Sequence, residues 1–101
     1  VNIHPSLLPL FGGKGYYGLK VHESVVRSGV WFSGLTIHLV DKEYDKGPIV
    51  FQRIVEVEEE DNAETLANKI LVFEHKDYPL IINRLINQVY HIKNNRVLFS
   101  E

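Results

Sequence analysis

Asn2-Ile3-His4-Pro5-Ser6-Leu7-Leu8-Pro9 is the stretch on which the fold turns. Residues i and i+2 of a strand share a face, so a strand end at Val1–His4 projects Asn2 and His4 together. Pro5 and Pro9 remove donors and restrict the residues before them, so no helix interior crosses this segment. A strand that stops at a polar pair and runs into a Pro- and Gly-rich loop is where α/β proteins place chemistry. An amide donor beside an imidazole suits the holding of an oxyanion, and His carries protons near neutrality. The plainer reading is that Asn2 caps a turn and His4 is a partly buried strand residue. The pair alone leaves both readings open.

Downstream, Gly12, Gly13, Gly15 and Gly18 fall within seven residues. Such a loop turns sharply or lets its backbone approach something closely. Lys14 is followed by Gly15 rather than Ser or Thr, which excludes a phosphate loop of the Gly-Lys-Ser/Thr kind. Val21–Ser28 reads as a short helix with Val21, Val25 and Val26 inward and Gly29 as its stop. From Trp31 to Val40 the pattern alternates: Leu35, Ile37 and Leu39 on one face, Thr36 and His38 on the other. A second strand runs from about Pro48 to Val57, with Ile49, Phe51 and Val55 on one face. The two strands are expected to pair antiparallel around the charged loop Asp41–Gly47, where Asp45 reads as a solvated turn residue. Asp61 is expected to open the longest helix, with Glu64 completing a capping box. Its stripe of Leu66, Ile70 and Phe73 continues past Pro79, a kink or restart, through Ile82, Leu85 and Val89. Arg96–Phe99 reads as a short terminal strand. The expected fold is a single α/β domain of three or four strands and two or three helices.

Composition narrows the function. The chain has 101 residues and a formal net charge of −2, which leaves no electrostatic footprint for nucleic acid or an anionic membrane. No apolar run is long enough to span a bilayer. The absence of Cys rules out disulfides and thiolate metal sites, which fits a cytoplasmic location. The five histidines lack ligand spacing, and the His22-Glu23 pair lacks the second His of a zinc helix. No metal is therefore expected, and His22 and His91 read as surface or internally satisfied residues. Ser6 lacks the flanking glycines of a nucleophile elbow. A chain without Met that opens inside a strand is expected to be a fragment.

The segments "NIHPSLLP", "GLTIHLVDKEYDKGPIVFQ" and "EHKDYP" resemble the C-terminal half of the phosphoribosylglycinamide formyltransferases, within the wider folate-dependent formyltransferase family. The resemblance covers almost the whole chain. His38 and "EHKDYP" favour that branch, and the longer "FGGKGYYGLKVHE" loop departs from it. It implies that residues 1–101 are the C-terminal portion of a catalytic domain, a mixed sheet end with an antiparallel strand pair and a long C-terminal helix. The N-terminal nucleotide-binding half would be missing. It implies that Asn2, His4 and Asp45 are catalytic, with Asp45 favouring the imidazolium of His4. Val40, Asp41, Tyr44 and Asp45 would receive the pterin of 10-formyltetrahydrofolate, and Asn2 and Glu74 would contact glycinamide ribonucleotide. Formyl transfer in purine biosynthesis follows, without nucleic acid, membrane or metal. The chain would associate with itself or with its missing half. Rival readings are a methionyl-tRNA or formyltetrahydrofolate-hydrolysing relative, and a non-catalytic fragment.

Overall fold

In a computed structural model, residues 1–100 are described. The alternating segments form strands β2 (Phe32–His38) and β3 (Ile49–Glu56), paired antiparallel with Leu35 opposite Arg53 and Ile37 opposite Phe51. The segment at the start of the chain is β1 (Asn2–His4), antiparallel to β2. Its register sets Asn2 opposite His38, Ile3 opposite Ile37 and His4 opposite Thr36. Directly opposed residues share a face. Ile3, Leu35, Ile37, Phe51 and Val55 therefore look to one side, and Asn2, His4, Thr36 and His38 to the other.

Two helices cover the first side. Helix α1 (Leu19–Ser28) turns inward Val21 and Val25, both fully buried, and ends at Gly29 with φ 81°, a left-handed C-cap. Helix α2 (Ala63–Asn87) lays Leu66, Ile70 and Ile81 against Val25, Leu35, Ile37, Val55 and Val57. This cluster is the core, with Phe73 and Leu85 at its margin. On the opposite side, the Pro5–Phe11 segment is fastened across the strands by side-chain bonds. Thr36 Oγ1 donates to the Ser6 carbonyl (2.8 Å) and accepts from Leu8 N (3.0 Å). Gln52 Nε2 donates to the Leu8 carbonyl (3.0 Å).

Several expectations are corrected. The cap of α2 is Asn62, not Asp61, and its reciprocal partner is Thr65, not Glu64, each bond 2.9 Å. Asp61 instead accepts from Lys69 Nζ at 2.5 Å and Glu58 N at 2.8 Å. Helix α2 runs through Pro79 without a break. A helix-interior proline costs about 3 kcal/mol, but buried Ile70 and Asp77 before it and Ile81 after it hold both segments on the same sheet. Val89 lies beyond the helix and is exposed. Among the described residues the sheet has five strands rather than three or four: the additional one, β4 (Tyr90–Lys93), precedes β5 (Arg96–Phe99) and pairs with it antiparallel. Asn94 and Asn95, both at positive φ, make the tight turn between them. Strand β5 joins β3 in parallel, so the sheet is mixed, in the order β1-β2-β3-β5-β4. No helix among the described residues is long and apolar enough to cross a membrane.

Candidate active site

The polar face of β1 and β2 reaches its open end at Asn2, His4 and His38. His4 and His38 are buried, at 4% and 3% exposure. The loop after β2 is closed by Leu39 N donating to the Pro48 carbonyl at 2.9 Å. Within it Asp45 takes φ 56°, a left-handed conformation that Asp tolerates. Its carboxylate thereby lies over the ends of both strands. Oδ1 is 3.5 Å from His4 Nδ1 and 3.7 Å from His38 Nε2. Asn2 Nδ2 lies 3.4 Å from His38 Nε2. The three residues expected to be catalytic thus converge, although Asp45 follows the first two by some forty positions.

The partners assign the protons. The Phe11 carbonyl can only accept, so His4 Nε2, at 2.8 Å from it, carries a hydrogen. That leaves Nδ1 facing the carboxylate. His38 Nδ1 donates to the Leu39 carbonyl at 2.9 Å, which turns Nε2 toward Asn2 and Asp45. Strand alternation puts His38 on the face of Thr36, and no local pattern assigns it to the site. The signal that finds it is its register opposite Asn2.

Two cavities meet at this cluster. One, of about 440 Å³, is lined by Val1, Asn2, His38, Val40, Asp41, Lys42, Glu43, Tyr44 and Asp45. All four residues expected to receive a pterin, Val40, Asp41, Tyr44 and Asp45, lie on its wall. The second, of about 250 Å³, runs under the glycine-rich loop and is lined by Asn2, His4, Gly13, Tyr16, Tyr17, Tyr44 and Asp45, among others. Glu74 is not part of the cluster. It lines a third hollow between α1 and α2 with His22 and Leu71, and that hollow shares Pro5 and Gly18 with the second. Burial pushes the Glu74 carboxyl up from its ordinary value, against the pull of His75.

His22 departs from expectation. It is buried at 5% exposure, and its Nδ1 has no hydrogen-bond partner among the described residues. Burial, and then the nearby His4, hold its pKa below the usual value. His91 is exposed. Two imidazoles and a carboxylate are also metal-ligand types, but among the described residues no group of three such side chains is arranged to hold an ion.

The profile of the formyl transferase family matches residues 1–82, and the chain belongs to that family. Within it, the similar proteins include phosphoribosylglycinamide formyltransferases. The chloroplastic enzyme of Vigna unguiculata is 55% identical over 87 residues, 86% of this chain and 28% of the relative. That of Bacillus subtilis is 43% identical over 86 residues, 85% of this chain and 42% of the relative. The crystal structure of glycinamide ribonucleotide transformylase 1 from Symbiobacterium toebii matches 99% of this chain and 45% of its own, at 38% identity and a TM-score of 0.87. A formyltetrahydrofolate deformylase from Pseudomonas syringae matches at 26% identity and a TM-score of 0.67. The chain spans less than half the length of each of these relatives.

Proposed function

We propose that this chain carries the proton-transfer and oxyanion-binding part of a phosphoribosylglycinamide formyltransferase. The observation that supports it is the single carboxylate of Asp45 facing His4 and His38 where two cavities meet. The first cavity fits a folate head group. Its rim carries Val40 and Tyr44, both 69% exposed and suited to a flat ring, beside the peptide edge of residues 40–45. The donor, 10-formyltetrahydrofolate, supplies a formyl group on nitrogen. Asn2 Nδ2 and the Nδ1 of His4, the ring nitrogen that the bond to Phe11 leaves free, donate to the carbonyl oxygen as the amine of glycinamide ribonucleotide attacks and negative charge grows on that oxygen. Asp45 holds the imidazolium and accepts, through water, the proton lost by the amine, which is returned to the departing nitrogen. Glu74 accepts from a ribose hydroxyl in the hollow that adjoins the second cavity.

The test uses the chain alone and a chimera in which the Bacillus subtilis relative supplies the remaining length. The chimera is expected to transfer formyl from 10-formyltetrahydrofolate to glycinamide ribonucleotide, and the chain alone to be inactive. His4→Asn should lower turnover roughly a hundred- to a thousandfold, the usual cost of one oxyanion donor, with the far-UV spectrum unchanged. A folded chimera without transfer, or a His4→Asn variant within a few-fold of its parent, refutes the reading.

A further inference from the structure

The glycine-rich loop is the one motif that formyl transfer leaves without a role. Its first residues touch both His4 and Asp45. The carbonyl of Phe11 accepts from His4 Nε2 at 2.8 Å, and the N–H of Gly13 donates to Asp45 Oδ2 at 2.8 Å. The remaining atoms of those groups, His4 Nδ1 and Asp45 Oδ1, then face each other at 3.5 Å. A ring and a carboxylate are rigid units, so fixing one end of each sets the direction of the other.

The backbone is specialised to make both contacts. Phe11 at φ 53° and Gly13 at φ 94° are left-handed. That combination turns the carbonyl of residue 11 toward β1 and the amide of residue 13 toward the Asp45 loop. A Cβ on Gly12 would stand 2.3 Å from Leu8 Cδ2 and 3.4 Å from Asp45 Cβ, so any other residue there requires the buried Leu8 side chain to move. A Cβ on Gly13 meets nothing within 4 Å, so its requirement is conformational rather than steric.

We propose that Phe11–Gly13 is a backbone clamp that orients the His4–Asp45 pair, with Gly13 a positioning residue acting through Asp45. The purpose of the clamp rests on the formyl-transfer reading; its existence is a matter of ground-state geometry and is tested separately.

Two measurements decide it. In the ¹⁵N-labelled chain, the Gly13 amide proton should resonate downfield and exchange slowly. Asp45→Ala should move it upfield and speed its exchange on the order of tenfold or more, as for loss of a charge-assisted bond. A Gly13 amide indifferent to Asp45→Ala overturns the clamp. In the chimera, Gly13→Asn, which tolerates positive φ better than other side chains, should retain more turnover than Gly13→Val. Gly13→Val, which does not, should lose roughly ten- to a hundredfold in kcat with KM for both substrates held, the signature of displacement by a fraction of an ångström. Equal kcat in the two variants overturns the positioning role. A wholly inactive chimera counts against formyl transfer alone, and the amide measurement still decides the clamp.

Discussion

Arg53 and Asp77 form an ion pair whose two halves should be unequal in cost when removed. Arg53 stands in the core-facing row of β3 between Phe51 and Val55. Its Nε and Nη2 donate to both oxygens of Asp77 on α2, the Nη2 bond being 2.8 Å. Its guanidinium lies 4.8 Å from the centre of the Phe73 ring. The Asp77 side chain is 4% exposed and that of Arg53 31%. Removing one partner of a buried pair costs about 3–5 kcal/mol, because the other is left charged and desolvated. Arg53→Met strands a carboxylate with almost no access to water, so its cost should lie near the top, about 4–5 kcal/mol. Asp77→Leu strands a guanidinium that is already one-third exposed and stacked on an aromatic ring. It can turn outward while its stem stays packed, so about 1–2 kcal/mol is expected. The double variant leaves no unpaired charge and should recover to within about 1 kcal/mol of the parent. A domain of this size has only about 5–15 kcal/mol of total stability, so these differences are readily resolved. Urea unfolding followed by the far-UV signal of α2 is the assay. Asp77→Leu costing more than Arg53→Met, or a double variant as unstable as the sum of the singles, would refute the reasoning.

Other perturbations have equally definite outcomes. His22 has a folded-state pKa held below its unfolded value near 6.5; below about pH 6.5 the unfolded chain therefore binds a proton that the folded chain refuses, and stability falls as pH drops toward the lowered value. His22→Leu should flatten that slope in urea unfolding between pH 5 and 8, and parallel curves for the two proteins would contradict it. Glu74→Ala in the chimera should raise KM for glycinamide ribonucleotide more than KM for the folate, and equal effects on both remove Glu74 from the substrate site. Ile70 is fully buried against Leu35 and Ile37. Ile70→Ala should cost about 2–5 kcal/mol, seen by calorimetry as a fall in Tm of roughly 4–8 °C per kcal/mol.

The elements legible in the sequence are those with a strong local period. Strands β2 and β3 alternate, α1 has a Val21/Val25 stripe and a Gly stop, and all three lie within a residue or two of where the pattern puts them. Where competing local signals exist, geometry chooses. Asp61 and Asn62 are both good caps; Lys69, two turns into α2, draws Asp61 into an ion pair and leaves the cap to Asn62. Pro79 argues for a break, yet packing on both sides overrides it. Strand β4 escapes notice because all four of its residues are exposed and no apolar face marks it. Only the Asn94-Asn95 turn announces the hairpin.

The candidate site divides along the same line between local and long-range information. Asn2 and His4 are recognisable because strand geometry puts i and i+2 on one face. Asp45 looks like any turn residue until resemblance singles it out, since its value depends on a loop folding back across the ends of two strands. His38 lies beyond both arguments. Its face on β2 is readable, but its place beside Asn2 depends on the β1–β2 register, which no local pattern encodes. His22 is the mirror case. Helical spacing places it only about 100° around α1 from the inward Val21, and it is buried because Pro5 and α2 close over that flank. Even with every residue named, the chemistry depends on which nitrogen points where. That is set by the carbonyls of Phe11 and Leu39, atoms that every sequence would possess, and only the fold brings them to His4 and His38.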